Sequence, residues 1–486
     1  MEPESTEYNL LLPVELGRNL DVAVLGAALD AVVARHEVLR TRLVAGADGV
    51  AYQVIDPPRP VPLPVVDVSD AADPAAWARD LLAVEASTPF DLAVGPLLRA
   101  CLFRLGGGGY VLVLSLHHVV FDEWSARVLR RELSALYTAL RAAEPDPLPP
   151  LTVQYADFAA WQRSWLADDV LDGQLAYWRD QLADVPALEL PTDRPRPPVL
   201  STAGAAVEFT VPAATADRLR EIARDNGATM FMTLLAGFDL LLSRYCGTDD
   251  IVVGTPVAGR NRAETEDLIG FFVNTLVLRT DLSGDPSFAD LVGRVRETAL
   301  GAYAHQDLPF EQLVDALVTD RDRSRTLLFQ VFFSYVGADG VDGDGAQPEP
   351  GATDDRARDT LARPLTLADL DLTLSDSGEG GLAGVIQYST ALFDSATIER
   401  LAGHLTALLT TAATDAARPL SALSVLTADE RTTLLHTWND TAVTWPNPLE
   451  VPELIAAHAA ATPDAIAVVC GPRGHSVGAL RARGPP

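Results

Sequence analysis

LSLHHVVFDEWS, residues 114–125, closes an apolar run with two adjacent histidines and places an aspartate four residues after the second. Upstream, Tyr110 to His118 is apolar on both faces, the pattern of a strand in the middle of a sheet. Downstream, Leu129, Leu133, Leu136 and Leu140 fall in line at helical spacing, so Ser125 to Leu140 reads as a helix. The stretch is a strand, a short turn and a helix, with titratable groups at the turn. Successive strand side chains point to opposite faces. Leu112, Leu114, Leu116 and His118 then share one face, and Val111, Val113, Ser115 and His117 the other. At most one histidine faces a given cavity, and the opposed directions argue against one shared metal ion. Asp122 stands where a helix cap would.

Elsewhere in the chain, Asp21 to Leu43 reads as a helix, with Leu25, Leu29, Val32, His36 and Leu39 on one face. The proline-rich stretch at 185–205 cannot lie inside a helix or central strand and reads as the joint between two halves. Beyond it, helix and strand alternate again: Thr229 to Tyr245 is a very apolar helix, and Ile251 to Val253 starts a buried strand. Residues 336–361, rich in Gly, Asp and Pro, read as a mobile loop.

The chain has 486 residues, 48% hydrophobic, enough for packed cores. Against 67 Asp+Glu stand 37 Lys+Arg, all arginine, for a net charge of −30. Such a charge repels phosphates and excludes nucleic acid and anionic membrane surfaces as partners. Cys101, Cys246 and Cys470 lie far apart in no metal spacing and read as reduced thiols in a cytoplasmic protein. The acidic start, MEPESTEYN, has no apolar signal core, and no run of about 18 apolar residues is present to span a membrane.

HHVVFDEWS resembles the HHxxxDGxS motif of condensation domains from non-ribosomal peptide synthetases. RHEVLRTRL (35–43), YADFAAW (155–161), IGFFVNTLVLR (269–279), HQDLPFE (305–311) and RDRSRTLLFQVFF (321–333) resemble further signatures of that family, in order. The resemblance runs to about residue 440 and implies an α/β fold. Two chloramphenicol-acetyltransferase-like halves, 1–185 and 206–425, would meet in a V with the active-site tunnel between them, joined by 186–205. It implies peptide-bond formation between a donor thioester and an acceptor amine. Both substrates arrive on phosphopantetheine arms of partner carrier proteins, and the chain itself binds no cofactor.

The same resemblance implies site roles. His118 is the tunnel-facing, catalytic histidine and His117 is structural. Asp122 is a scaffold aspartate held by an arginine, either Arg260 in GTPVAGR, which is favoured, or Arg40 in RHEVLRT. Asn274 either lines the tunnel or is an ordinary strand or turn residue. The residues themselves read further: Trp124 and Ser125 close the turn and cap the next helix, and His36, on the apolar face of its helix, and His305, which leads a loop with Pro309, are structural. Glu123 stands where the family most often has glycine. Its N–H can still point at a developing oxyanion, but a glycine-only backbone angle would be lost.

The family's opening motif precedes the first residue here. Residues 426–448 look like the linker to an adenylation domain, and 449–486 like its truncated start, with no Gly-rich nucleotide loop and so no ATP chemistry. The wording of the motifs resembles the L-donor class. The rival from another class is a truncated, non-catalytic fragment or docking platform for carrier proteins. Epimerisation of a carrier-bound residue, or acyl transfer to small thiols, are lesser alternatives.

Overall fold

In the computed structural model, the described residues are 5–69, 80, 82–318, 322–337, 366, 368–443, 450–470 and 472–481. Nearly all of the stretch 336–361 lies outside them. The chain divides into two compact units, Met1–Thr427 and Ala428–Pro486. Among the described residues no single helix is long and apolar enough to cross a membrane.

The first part of the larger unit is built from β1 (Asn9–Leu16), α1 (Val22–Arg35), β2 (Thr41–Ala45), β3 (Ala51–Ile55), β4 (Val65–Asp67), β5 (Leu98–Arg104), β6 (Tyr110–His117) and α2 (Glu123–Arg141). Four strands form one sheet in the order β1-β6-β5-β4, and β2 and β3 make a separate hairpin. The strand of the opening stretch, β6, lies between β1 and β5 and is antiparallel to both, which explains its apolar character on both faces. On one face Leu112, Leu114 and Leu116 pack with Leu25 and Leu29 of α1 and Leu129 and Leu133 of α2. Each such buried leucine contributes about 1.5–3 kcal/mol. On the other face Val113 and Phe103 meet Val68 and Leu82.

Several boundaries differ from the sequence reading. Helix α1 ends at Arg35 and does not continue to Leu43. His36 has extended backbone (φ −100°, ψ 103°), a single turn covers Glu37–Arg40, and Thr41 enters β2. His36 and Leu39 are buried all the same, so the apolar stripe continues across the break in the helix. Strand β6 stops at His117, and His118 opens a one-turn helix over His118–Val120. The direction of the His118 ring is therefore set by that turn, not by strand alternation. Helix α2 starts at Glu123, because Asp122 caps it by accepting from the Ser125 N–H.

Two helices, α3 (Tyr155–Trp165) and α4 (Asp168–Gln181), lead to the second part. There β7 (Gly204–Val211), α5 (Ala213–Asp225), α6 (Met230–Cys246), β8 (Asp250–Val257), β9 (Asn274–Asp281), α7 (Phe288–Ala304), α8 (Phe310–Leu317), β10 (Val331–Val336), β11 (Leu370–Asp376), β12 (Leu382–Ser389) and α9 (Ser395–Thr414) follow in order. Six strands form a mixed sheet, β7-β12-β11-β10-β8-β9. The proline-rich joint carries no helix or strand over 186–202. It is tied down: Arg196 makes a two-pronged pair with the fully buried Asp369, and the Leu188 N–H donates to Gln330.

The smaller unit holds α10 (Val451–Ala461) and an antiparallel hairpin of β13 (Ile466–Cys470) and β14 (Arg473–Ser476). Trp438, Ile455, Ile466 and Val469 are exposed on it.

Candidate active site

The exit of β6 fixes the two histidines in opposite protonation patterns. His117 is buried, and its Nδ1 accepts the Val119 N–H at 3.1 Å, so its ring proton sits on Nε2. Burial first, and the neighbouring His118 second, pull its pKa below the ordinary value. His118 has Nδ1 2.7 Å from the Phe121 carbonyl, which can only accept. Nδ1 therefore carries the proton and Nε2 keeps a lone pair. The His118 ring is half-buried and lies edge-on to Phe271, centroids 4.9 Å apart. Adjacent rings are thus held in opposite senses: His117 accepts from the backbone, and His118 donates to it.

Asp122 is 2% exposed and its carboxylate is fully occupied. Oδ1 accepts from the Ser125 N–H (2.8 Å) and the Ser125 hydroxyl (2.6 Å), and Oδ2 accepts from the Phe272 N–H (2.9 Å). Arg260 Nη2 bridges both oxygens at 3.1 and 3.3 Å and also reaches Ser125 Oγ. Arg260 Nη1 donates to the carbonyls of Thr265 and Leu268, and the guanidinium lies 4.0 Å above the Phe272 ring. Burial lowers the Arg260 pKa while Asp122 pushes it up. Arg40, the other candidate partner, is not at Asp122. It donates to the Asp56 carbonyl and pairs with Glu37, because the turn after α1 directs it to the β2–β3 hairpin.

The loop from β8 to β9 is the second wall. Along Ile269–Phe272 its backbone is fastened to the first half at every residue. The Ile269 N–H donates to His36 Nδ1 (3.3 Å), and the Gly270 N–H to Ser125 Oγ (3.0 Å). The Phe271 carbonyl accepts from the Tyr155 hydroxyl (2.8 Å), and the Phe272 N–H reaches Asp122. Burial, and then the Asp122 charge, raise the Tyr155 pKa to about 12, so it stays a donor. His36 accepts on Nδ1, which leaves its Nε2–H to donate to Glu132 at 2.7 Å. A Cβ on Gly270 would sit 2.3 Å from Tyr155 Cδ2. Gly259 has φ +63°, and a Cβ there would lie 2.0 Å from the Phe272 carbonyl oxygen.

The remaining candidates fall into place around this loop. Trp124 Nε1 donates to the Glu266 carbonyl, another tie across the two halves. Glu123 is exposed in the first helical turn of α2 and does not adopt positive φ, so glycine is not needed at that position. Asn274 has its amide spent on structure. Nδ2 donates to the carbonyls of Gln306 and Leu308, and Oδ1 accepts from the N–H groups of Thr275 and Phe310. His305 donates Nδ1–H to Gly301 and stacks on Tyr177. Sequence reasoning missed Glu132, Tyr155 and Phe272. For Glu132 a signal was present: it falls on the same helical face as Leu129, Leu133 and Leu136, where a carboxylate needs a partner.

A family model described as "Condensation domain" matches residues 1–435. One of the linear gramicidin synthase proteins of Brevibacillus parabrevis is 46% identical over 473 residues, 96% of this chain and 6% of that protein. A second protein of the same synthase is 44% identical over 99% of this chain, which again spans only 9% of its relative. Among solved structures, the X-domain from teicoplanin biosynthesis is similar with TM-score 0.76 and 32% identity, over 87% of this chain and 94% of that one. A four-domain nonribosomal peptide synthetase bound to AMP and glycine shares the fold, with TM-score 0.77 and 23% identity, over 99% of this chain and 38% of that one.

Proposed function

The chain belongs to the condensation-domain family of nonribosomal peptide synthetases, and on that basis we propose that it joins a donor acyl thioester to the amine of an acceptor thioester. His118 is the reacting histidine. The observation that carries this reading is the proton on Nδ1, held by the Phe121 carbonyl, which leaves the Nε2 lone pair for a substrate.

An α-amino group has a pKa of about 7.7–8.0, so near neutral pH part of it is already an uncharged nucleophile. It attacks the thioester carbonyl, and nitrogen becomes positively charged as the tetrahedral intermediate forms. His118 Nε2 takes that proton. Collapse of the intermediate expels the donor's thiolate, which leaves protonated, and the peptide remains on the acceptor arm. A positioned base is worth about 10²–10⁴ in rate. Holding two tethered substrates together adds to this, because proximity alone removes several kcal/mol from a bimolecular barrier. Asp122, Arg260 and Ser125 do not touch substrate in this reading; they fix the turn that carries His118.

The substrates arrive on phosphopantetheine arms of donor and acceptor carrier proteins, in the cytoplasm. The donor is L-configured, a reading supported by the wording of HHVVFDEWS, IGFFVNT and HQDLPFE. Residues 426–448 are the linker to an adenylation domain and 449–486 its first part. The wording of LTADERTTLLHTWND (426–440) and LIAAHAAATPDAIAVVCG (454–471) supports this.

A second reading is a docking platform without turnover. It is favoured by similarity to the X-domain in a solved complex of the X-domain and OxyB from teicoplanin biosynthesis, 31% identical over 86% of this chain and 91% of that one. One experiment separates the two. Carrier proteins loaded with L-aminoacyl groups are mixed with wild type and His118→Ala, and dipeptidyl-carrier product is read by intact mass. Product from wild type alone supports condensation. Product from neither, across several substrate pairs and with cooperative melting, leaves the platform.

A further inference from the structure

The face of the first sheet that carries His117 is crossed by residues 82–90, which none of the site roles uses. Strand register places Asn9 opposite His117, and Ser115 opposite both Leu11 and Arg99, so Asn9, His117, Ser115 and Arg99 lie on one face. All four meet the crossing segment. Arg99 Nε donates to Glu85 Oε2 (3.3 Å), and its Nη2 donates to the carbonyls of Glu85 (3.3 Å) and Thr88 (2.9 Å). Its Nη1 donates to the Pro89 carbonyl (3.3 Å). The Ser115 hydroxyl donates to Glu85 Oε2 (3.1 Å). Asn9 Nδ2 donates to the carbonyls of Ala86 (3.0 Å) and Thr88 (2.9 Å).

The orientation of Asn9 has a cost. Two carbonyls demand its NH₂ group, so its Oδ1 is turned inward, where it is buried without a hydrogen-bond partner. A buried acceptor left unpaired destabilises the fold. The segment is held at the expense of that group, and its end is next to the site. The Arg99 guanidinium sits 3.8 Å above the Phe90 ring, and Phe90 is 5% exposed and edge-on to the His117 ring, with centroids 6.1 Å apart. His117 in turn holds the Val119 N–H, and with it the single turn on which His118 is mounted.

We propose that Arg99 and Asn9 are positioning residues for His118, acting through the 85–90 strap, Phe90 and His117. The inference rests on reading His118 as the reacting histidine. With the strap released, the His117 ring is no longer packed against Phe90 and the Val119 N–H loses its fixed acceptor. The turn then opens, and the His118 Nδ1–H is no longer directed at the Phe121 carbonyl. The rings redistribute between tautomers, and a share of His118 presents N–H where the substrate amine needs a lone pair.

The test uses the full chain labelled with ¹⁵N-histidine, with the two signals assigned by His117→Asn and His118→Ala. Long-range ¹⁵N–¹H correlation reads each tautomer, and product formation on loaded carriers reads the rate. In Arg99→Leu and in Asn9→Ala, each alone, His118 loses its single Nδ1–H tautomer. Product formation at saturating carriers falls about tenfold, a part of what a positioned base supplies. KM stays within about twofold, since no substrate contact is removed. Phe90→Leu shows the same pattern and serves where Arg99→Leu does not fold. Arg104→Ala, at the far end of the same strand in an exposed pair with Asp67, changes neither signal nor rate. Folded variants with wild-type tautomers and wild-type rate overturn the proposal. So do variants that only melt earlier, for then the strap is structural alone. If wild type makes no product, the condensation reading fails, and the tautomer signals still decide whether the strap positions the turn.

Discussion

Each half of the larger unit lets a central strand run out at the same place, and the two exits differ in what they spend. Strand β6 leaves through residues 118–122 into α2, and its polar groups are arranged so that the His118 Nδ1–H is held by the backbone while Nε2 keeps its lone pair. Strand β8 leaves through 258–273 into β9, and what it brings is spent inward. Arg260 and the N–H groups of Ile269, Gly270 and Phe272 all bond the first half. A reactive group, then, needs neighbours that do not react. In the proposed reaction the first exit offers the base, and the second exit satisfies the aspartate beside it.

The largest effect separates the two exits outright. His118→Ala lowers the rate of peptide formation by about 10²–10⁴ with its melting temperature unchanged. A large fall in melting temperature would erase the distinction between chemistry and support. Next come the supporting groups. Asp122→Ala, or Arg260→Met, leaves one buried charge unpaired and costs about 3–5 kcal/mol in denaturant unfolding. The double variant Asp122→Leu/Arg260→Met recovers part of that loss, since neither charge is then stranded. Simple addition of the two losses would mean that the pair is not coupled.

Gly259→Ala tests the second exit by geometry alone. It forces a left-handed residue and a contact with the Phe272 carbonyl, and costs about 1–3 kcal/mol without touching His118.

Proton linkage adds a gradation within the first exit. The folded His117 ring titrates below its unfolded value of about 6.5, because burial favours the neutral form. Its contribution to stability is complete above that value and is lost as pH falls through the folded pKa. Unfolding free energy measured from pH 8 down to 5 therefore falls on the acid side. His117→Asn, which keeps an acceptor for the Val119 N–H, flattens that fall. The smallest effect is at Glu123. Glu123→Gly leaves the rate unchanged and costs about 0.5–1 kcal/mol by weakening the first turn of α2.

Alternation and helical spacing located β6 and α2 to within two residues, since both are long and strongly patterned. The end of α1 was not legible. The stripe Leu25, Leu29, Val32, His36, Leu39 stays buried while the backbone changes from helix to a single turn, so the pattern continues where the helix does not. At the site, the resemblance of the motifs to the condensation-domain family pointed to His118, Asp122 and two arginines. The choice between Arg40 and Arg260 depends on a contact 138 residues away in sequence, which local pattern does not carry. The Phe272 N–H on Asp122 was invisible for another reason: a backbone donor has no letter in the sequence.

The pairing of Asp122 with residues 260 and 272 also orders events during synthesis. A nascent chain that has emerged as far as α2 holds the carboxylate and the Ser125 hydroxyl with most of their partners not yet translated. The turn bearing His118 is completed only when the loop before β9 leaves the ribosome. A crossover placed in the tied-down joint at 186–202 would separate Asp122 from Arg260, so recombinants made there must be matched at this contact before they are matched to any substrate.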